Sequence, residues 1–252
     1  MVLSGTVALS QGQSFFLYLC TPMKRALIIA FLWLLASSMW AQRYRPGDAV
    51  PEPYIKVFGY ERFFCVSPIS GDLQEQMKQC SFKGYDGVKW DDLRYLQVLH
   101  RDLDGNAMVG ELVCNKLIAN DLMEIFKALY QASYPIEKMR LVELYDGDDD
   151  ASMRDNNTSC FNQLPITEGG RLSRHSNGLA VDINPRYNPY YRMRASGKSV
   201  VKPDESTDFL QRDAKFPYKI EKGDLCYRLF RQHGFRWGGD WVKGKDYQHF
   251  EK

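Results

Sequence analysis

The clearest periodicity in the chain is at Leu122, Ile125, Phe126, Leu129 and Tyr130, which recur at the steps of one helix face. Asn120 or Asp121 precedes the stripe as a cap, so the pattern predicts an amphipathic helix that packs on a core rather than a site. Upstream, residues 93–100 (LRYLQVLH) and 107–114 (AMVGELVC) read as two strands, and the turn-forming run 102–106 (DLDGN) joins them as a hairpin. That run begins like a calcium loop, but Val113 and Cys114 stand where a distal Glu is required, so a plain turn is predicted. Residues 136–145 (IEKMRLVELY) alternate like a strand, and the acidic run 146–150 ends it as a solvated loop. A last helix over 225–233, capped by Asp224 and stopped by Gly234, turns Leu225, Leu229 and Phe230 inward. The polar, Pro-rich stretch 42–54 predicts a linker, and 194–215 a flap or surface loop. With strands and helices alternating and no internal repeat, one α+β domain is predicted over residues 55–252.

Composition adds two exclusions. The 252 residues are 44% apolar, enough for a sizeable core, so a disordered or fibrous chain is ruled out. A net charge of only +2 argues against nucleic acid as a partner, because phosphate binding needs a strongly one-signed surface.

The N-terminus is read differently. From Met23, a second start downstream of residues 1–22, the chain runs MKRALIIAFLWLLASSMWA, with basic, apolar and small-residue regions in the order of a secretory signal. Residues 1–41 are therefore expected to be removed and the protein to be periplasmic or secreted. Membrane attachment through an uncleaved N-terminus is the alternative, and the apolar run is short for the ~20 residues a bilayer span needs. Removal of Lys24 and Arg25 without any acid leaves the mature chain with equal numbers of basic and acidic residues. Export permits disulfides. Cys65 and Cys80 are the nearest pair among the five mature cysteines (Cys65, Cys80, Cys114, Cys160 and Cys226); the alternative is that these are small buried hydrophobes.

Candidate chemistry concentrates in 171–191 (RLSRHSNGLAVDINPRYNPYY) and 234–252 (GFRWGGDWVKGKDYQHFEK). Catalytic zinc takes three protein ligands from His, Asp or Glu and keeps one position open. Only four histidines are present, and His100 and His233 read as ordinary structural residues. His175 and Asp182 flank the turn-forming Asn177-Gly178 pair, which lets the chain fold back. Asp182 also sits in the apolar run Leu179–Ile183, where an unpaired charge is costly unless it meets a cation. His249 supplies a third ligand, and Asp246 is placed to hold the attacking water as general base.

Together these residues resemble a known family. Ser173-x-His175-x-x-Gly178-x-Ala180-x-Asp182, then Ile183-Asn184-Pro185 and Asn188-Pro189-Tyr190, then Gly234-Phe235-x-Trp237-Gly238-Gly239-x-Trp241 and Asp246-x-x-His249-Phe250-Glu251 are similar to the zinc D-alanyl-D-alanine carboxypeptidases and L-alanyl-D-glutamate endopeptidases, VanY-like enzymes included. The resemblance covers about residues 90–252. It implies a small antiparallel sheet with flanking helices around a zinc site, with His175, Asp182 and His249 as zinc ligands, Asp246 as general base and Ser173 at the substrate rim. It further implies hydrolysis of peptidoglycan stem peptides, by a D,D- or L,D-carboxypeptidase or an endopeptidase.

One position departs from the pattern. Relatives carry an Arg after the Asn-Thr-Ser-x-Phe-Asn stretch, whereas residues 157–162 here are followed by Gln163 and Leu164. Loss of a charged transition-state donor costs about 100- to 1,000-fold in rate. Arg154, Arg171 and Arg174 are the candidates to replace it, and a weak or inactive wall-peptide-binding relative is the alternative reading. Trp237 and Trp241 read as core aromatics or as a wall for substrate, and Tyr187 and Tyr190 as substrate contacts. Ser173, Arg174, Tyr190 and Trp237 form the candidate substrate-contact set. Asp240 is either a partner to a ligand His or a turn residue.

Overall fold

The computed structural model describes residues 44–85, 87–164 and 172–252, which fall in one contact unit spanning Tyr44–Lys252. The expected signal, residues 42 and 43 and Arg171 lie outside the described residues. The hairpin forms as the alternation predicts. Strand β2 (Leu93–Arg101) pairs antiparallel with β3 (Ala107–Asn115) in register Leu93↔Asn115 to Arg101↔Ala107. β1 (Cys65–Pro68) adds to the outer edge of β2. The connecting turn is closed by Asp102, whose carboxylate accepts the backbone N–H groups of Asp104 and Asn106 at 3.0 and 2.8 Å. That carboxylate closes the turn.

Helix α3 (Lys116–Gln131) follows directly; before it come α1 (Glu52–Phe58) and α2 (Gly71–Gln79). The predicted stripe is its buried face, but the helix begins five or six residues earlier than a cap at Asn120 or Asp121 predicts. Asn115 is the cap, its side chain accepting the Leu117 N–H at 3.1 Å. This face packs with Leu96, Val98, Leu112 and Cys114 of the hairpin into the main core. Phe230 and Phe250 stack in the same core, with ring centroids 4.2 Å apart. Phe230 belongs to α5 (Leu225–Gln232), capped by Asp224 as predicted, with Cys226 and Phe230 buried and Leu225 and Leu229 half-buried.

Three expectations are corrected. The linker is part of the fold from Tyr44 onward: Gly47 and Val50 donate backbone hydrogen bonds to Val109 and Ala107 at 2.7 and 2.8 Å, and Val50 and Tyr54 are buried. Pro51 and Pro53 serve the start of α1, where a missing N–H costs nothing. Residues 136–145 form only a two-residue strand, β4 (Lys138–Met139), then a 3-10 turn at Val142–Tyr145. β4 pairs in parallel with β5 (Asn157–Thr158), which follows helix α4 (Asp149–Arg154). All five described cysteines are free, Cys65 exposed and Cys114, Cys160 and Cys226 buried. The buried three are small core residues.

Two further small antiparallel sheets carry the site. One has the order β6 (Ala180–Asp182), β11 (His249–Glu251), β9 (Arg236–Trp237). The other has β10 (Lys245–Asp246), β7 (Tyr190–Met193), β8 (Ser199–Lys202). The stretch expected as a flap thus contains all of β8 and a 3-10 segment, Asp204–Leu210. Small antiparallel sheets and flanking helices make this an α+β fold. Among the described residues no helix is long and apolar enough to cross a membrane.

Candidate metal centre

His175 lies in a single 3-10 turn, Arg174–Asn177. Ser173 caps it, its hydroxyl accepting the His175 N–H at 3.2 Å, and Gly178 ends it in the left-handed region at φ 65°. Gly178 is forced on two counts. A Cβ there would meet the backbone nitrogen of Asn115 at 2.7 Å, and the turn is fastened to that residue by the Asn115 N–H to Gly178 carbonyl bond of 2.8 Å. The histidine is therefore held against the end of the hairpin.

The other two groups come from one strand pair. Asp182 ends β6 and His249 begins β11, and the antiparallel register places them directly opposite each other. Partners of that kind share a face, so both side chains leave the sheet on the same side. His249 Nδ1 stands 3.0 Å from Asp182 Oδ1 and 3.1 Å from His175 Nε2, and His175 Nε2 stands 3.2 Å from Asp182 Oδ1. Donors bound at zinc distances to one tetrahedral ion lie about 3.3 Å apart. The triangle fits such an ion to within a few tenths of an ångström. Among the described residues this is the cluster of His, Cys, Asp and Glu donors that could hold a metal, and all three members are buried. Two nitrogens and one carboxylate oxygen suit zinc.

Electrostatics point the same way. Burial alone would raise the Asp182 carboxyl and lower both imidazoles. Instead the two histidines hold Asp182 well below the usual carboxylate range, and Asp182 holds His175 and His249 above theirs. A trio that retains protons this firmly has a strong demand for positive charge, which a divalent cation meets as it displaces them. His175 is also oriented from behind, Nδ1 lying 2.6 Å from the Cys160 carbonyl, which leaves Nε2 to face the centre.

These groups open on a cavity of about 710 Å³. Asp246, Ser173, Arg174 and Tyr190 all line it, and Asp246 and Tyr190 are partners across β10 and β7. Asp246 Oδ1 is sealed from solvent and has no hydrogen-bond partner among the described residues. Burial, reinforced by the negative charge of Asp182 against the pull of His249, raises its carboxyl above the usual range. Gly238 makes the approach close: a Cβ there would meet Asp246 Cβ at 2.7 Å and His249 Cβ at 3.2 Å.

Other expected site residues lie elsewhere. Trp237 is a core residue, buried against Phe250 and Tyr247 with its Nε1 donating to the Tyr247 carbonyl at 2.9 Å. The cavity wall has Trp241 instead, its ring centroid 5.3 Å from that of His249. Tyr187 packs against Phe209 and Tyr218. Asp240 pairs with Lys222 at 2.8 Å, so it is a turn residue. Leu164 faces the cavity, so the departure from the family pattern falls on its wall. Of the three arginines considered in its place, Arg174 lines the same cavity, whereas Arg154 lines a different one and Arg171 is outside the described residues. Lys202 and Arg236 add positive charge, each already paired, with Asp150 at 2.6 Å and with Glu251 at 2.9 Å.

Sequence reasoning missed two carboxylates on the wall, Asp149 and Glu251. Asp149 was hidden in a run of acids read as solvated; burial pushes its carboxyl up to about 6, with His175 pulling the other way. Glu251 was legible, since it stands two residues after His249 on a strand and shares its face.

Comparison with curated proteins and with solved structures finds no match. The family model described as D-alanyl-D-alanine carboxypeptidase matches residues 167–252. That span holds His175, Asp182, Asp246 and His249, the residues on which the resemblance was drawn. Over residues 167–252 this chain is thus similar to the D-alanyl-D-alanine carboxypeptidase family.

Proposed function

We propose that the protein is a zinc-dependent peptidase that hydrolyses peptidoglycan stem peptides outside the cytoplasm, as a D,D- or L,D-carboxypeptidase or a related endopeptidase. The convergence of His175, Asp182 and His249 within 3.2 Å beside an open cavity carries the reading. These three would hold the ion, which when bound polarises a carbonyl and makes water a stronger nucleophile. Asp246 does the proton work: its carboxylate, on the cavity wall and raised toward neutrality, takes a proton from the attacking water and returns it to the departing amine. Arg174 at the cavity mouth is the group suited to a substrate carboxylate or a developing oxyanion, in place of the Arg absent at Leu164. Tyr190 and Ser173 contribute wall.

Leu164 favours a second reading, a relative that binds wall peptide without cutting it. Incubation of the zinc-loaded protein with muropeptides, with and without chelator, separates the two. Released D-alanine or a split stem, seen by mass spectrometry and abolished by chelator, supports the peptidase. Intact muropeptides that nevertheless bind support the second.

A further inference from the structure

Each imidazole of the centre has one nitrogen facing the other donors and one facing away. For His175 the outward nitrogen meets a backbone carbonyl. For His249 it is Nε2, and the acceptor the described residues offer it is Glu251, whose Oε2 stands 3.6 Å away. At 3.6 Å the pair is an ion-pair contact just beyond hydrogen-bond length. Glu251 is itself tethered, since β11 pairs with β9 in register Glu251↔Arg236 and Arg236 Nη2 reaches Glu251 Oε1 at 2.9 Å. Exposure falls along this chain of contacts, from 65% for the Arg236 side chain to 14% for Glu251 and 6% for His249. An exposed cation thus anchors a nearly buried acid against a buried imidazole.

We infer that Glu251 and Arg236 are positioning residues for the metal centre: Glu251 accepts the Nε2 proton of His249, fixing the tautomer that presents Nδ1 to the ion, and Arg236 holds Glu251 in place. Partners of this kind set ring orientation and raise ligand basicity, and their loss costs about 10- to 100-fold in metal affinity. The inference rests on the zinc reading above.

The test is zinc affinity, measured by competition with a chromophoric chelator on the full chain, with each variant's melting temperature in excess chelator tracking the metal-free fold. Glu251→Ala is expected to bind zinc about 10- to 100-fold more weakly than wild type. Glu251→Gln, whose amide oxygen still accepts the proton, should recover part of that loss. Arg236→Met, which leaves both inner groups in place and serves if Glu251→Ala does not fold, should also bind more weakly than wild type. Zinc binding by Glu251→Ala or Arg236→Met within twofold of wild type overturns the inference, as do equal losses in Glu251→Gln and Glu251→Ala. Wild-type protein that binds no zinc overturns the metal reading and this inference with it; unchanged binding by the variants overturns this inference alone.

Discussion

Removal of one charge from the donor triangle makes the most direct test of the centre. Asp182→Asn keeps the size of the side chain between His175 and His249 and takes away the carboxylate that stands 3.0 and 3.2 Å from their nitrogens. In the wild-type chain, a ligand that binds only the folded state at 1,000 times its dissociation constant stabilises that state by about 4 kcal/mol. For a domain of this size each kcal/mol moves the melting temperature by roughly 2–4 °C, so zinc should raise it by about 8–16 °C over the chelator-treated protein. The assay is a thermal melt of wild type and variant, each first stripped with chelator and then titrated with zinc. The size of the zinc-dependent shift is compared, not the absolute melting temperature, because Asp182→Asn also disturbs the metal-free ion pairs. The variant should keep little or none of the shift. Equal shifts in the two proteins, or no shift in wild type, would refute the assignment of these three side chains as ligands.

Other outcomes follow from the same geometry. Asp246→Asn should retain the zinc-dependent melting shift and lose about 100- to 10,000-fold in muropeptide turnover; hydrolysis at the wild-type rate removes Asp246 from its role. Gly178→Ala should destabilise the metal-free protein by more than about 1 kcal/mol, read as a lower urea midpoint, since it combines left-handed backbone with a Cβ 2.7 Å from the Asn115 nitrogen. A change under about 0.5 kcal/mol, the size of an ordinary surface substitution, contradicts that account. His100, buried with Nδ1 2.7 Å from the Ile136 carbonyl, has its pKa lowered by burial to about 4. The unfolded chain therefore takes up this proton first, and stability present above pH ~6.5 falls as pH drops toward 4, by up to about 3 kcal/mol. Replacement by Gln should flatten the urea midpoint between pH 7 and 4.5, and an unchanged slope would show that other groups dominate.

Much of this was legible in the chain itself, and the exceptions have physical causes. The stripe at Leu122, Ile125, Phe126, Leu129 and Tyr130 and the cap at Asp224 are local signals: the first is the buried face of α3 and the second caps α5. The helix start was misplaced because Asn115, at the end of a strand, offered the earlier cap. Residues 136–145 misled because alternation was read where the buried positions are Ile136, Met139 and Val142, a step of three that suits a 3-10 turn better than a strand. The stretch from Tyr44 looked like a linker because prolines and charges dominate it, yet Gly47, Asp48 and Val50 bond it to the β3 edge and Val50 and Tyr54 are buried. At the site, residue types and motif order pointed to the three donors and to Asp246. No local rule told Trp237 from Trp241: one faces the core and the other the cavity, a difference set by a turn of three residues between them.

The strand register that sets Asp182 opposite His249 joins positions 67 apart along the chain. A bound ion would act there as a removable clasp, closing a long loop that the polypeptide alone holds with a few short strands. Resistance to unfolding and to proteolysis in this half of the molecule should then follow the supply of metal, so that under the proposed function the same ion would serve both as reagent and as rivet.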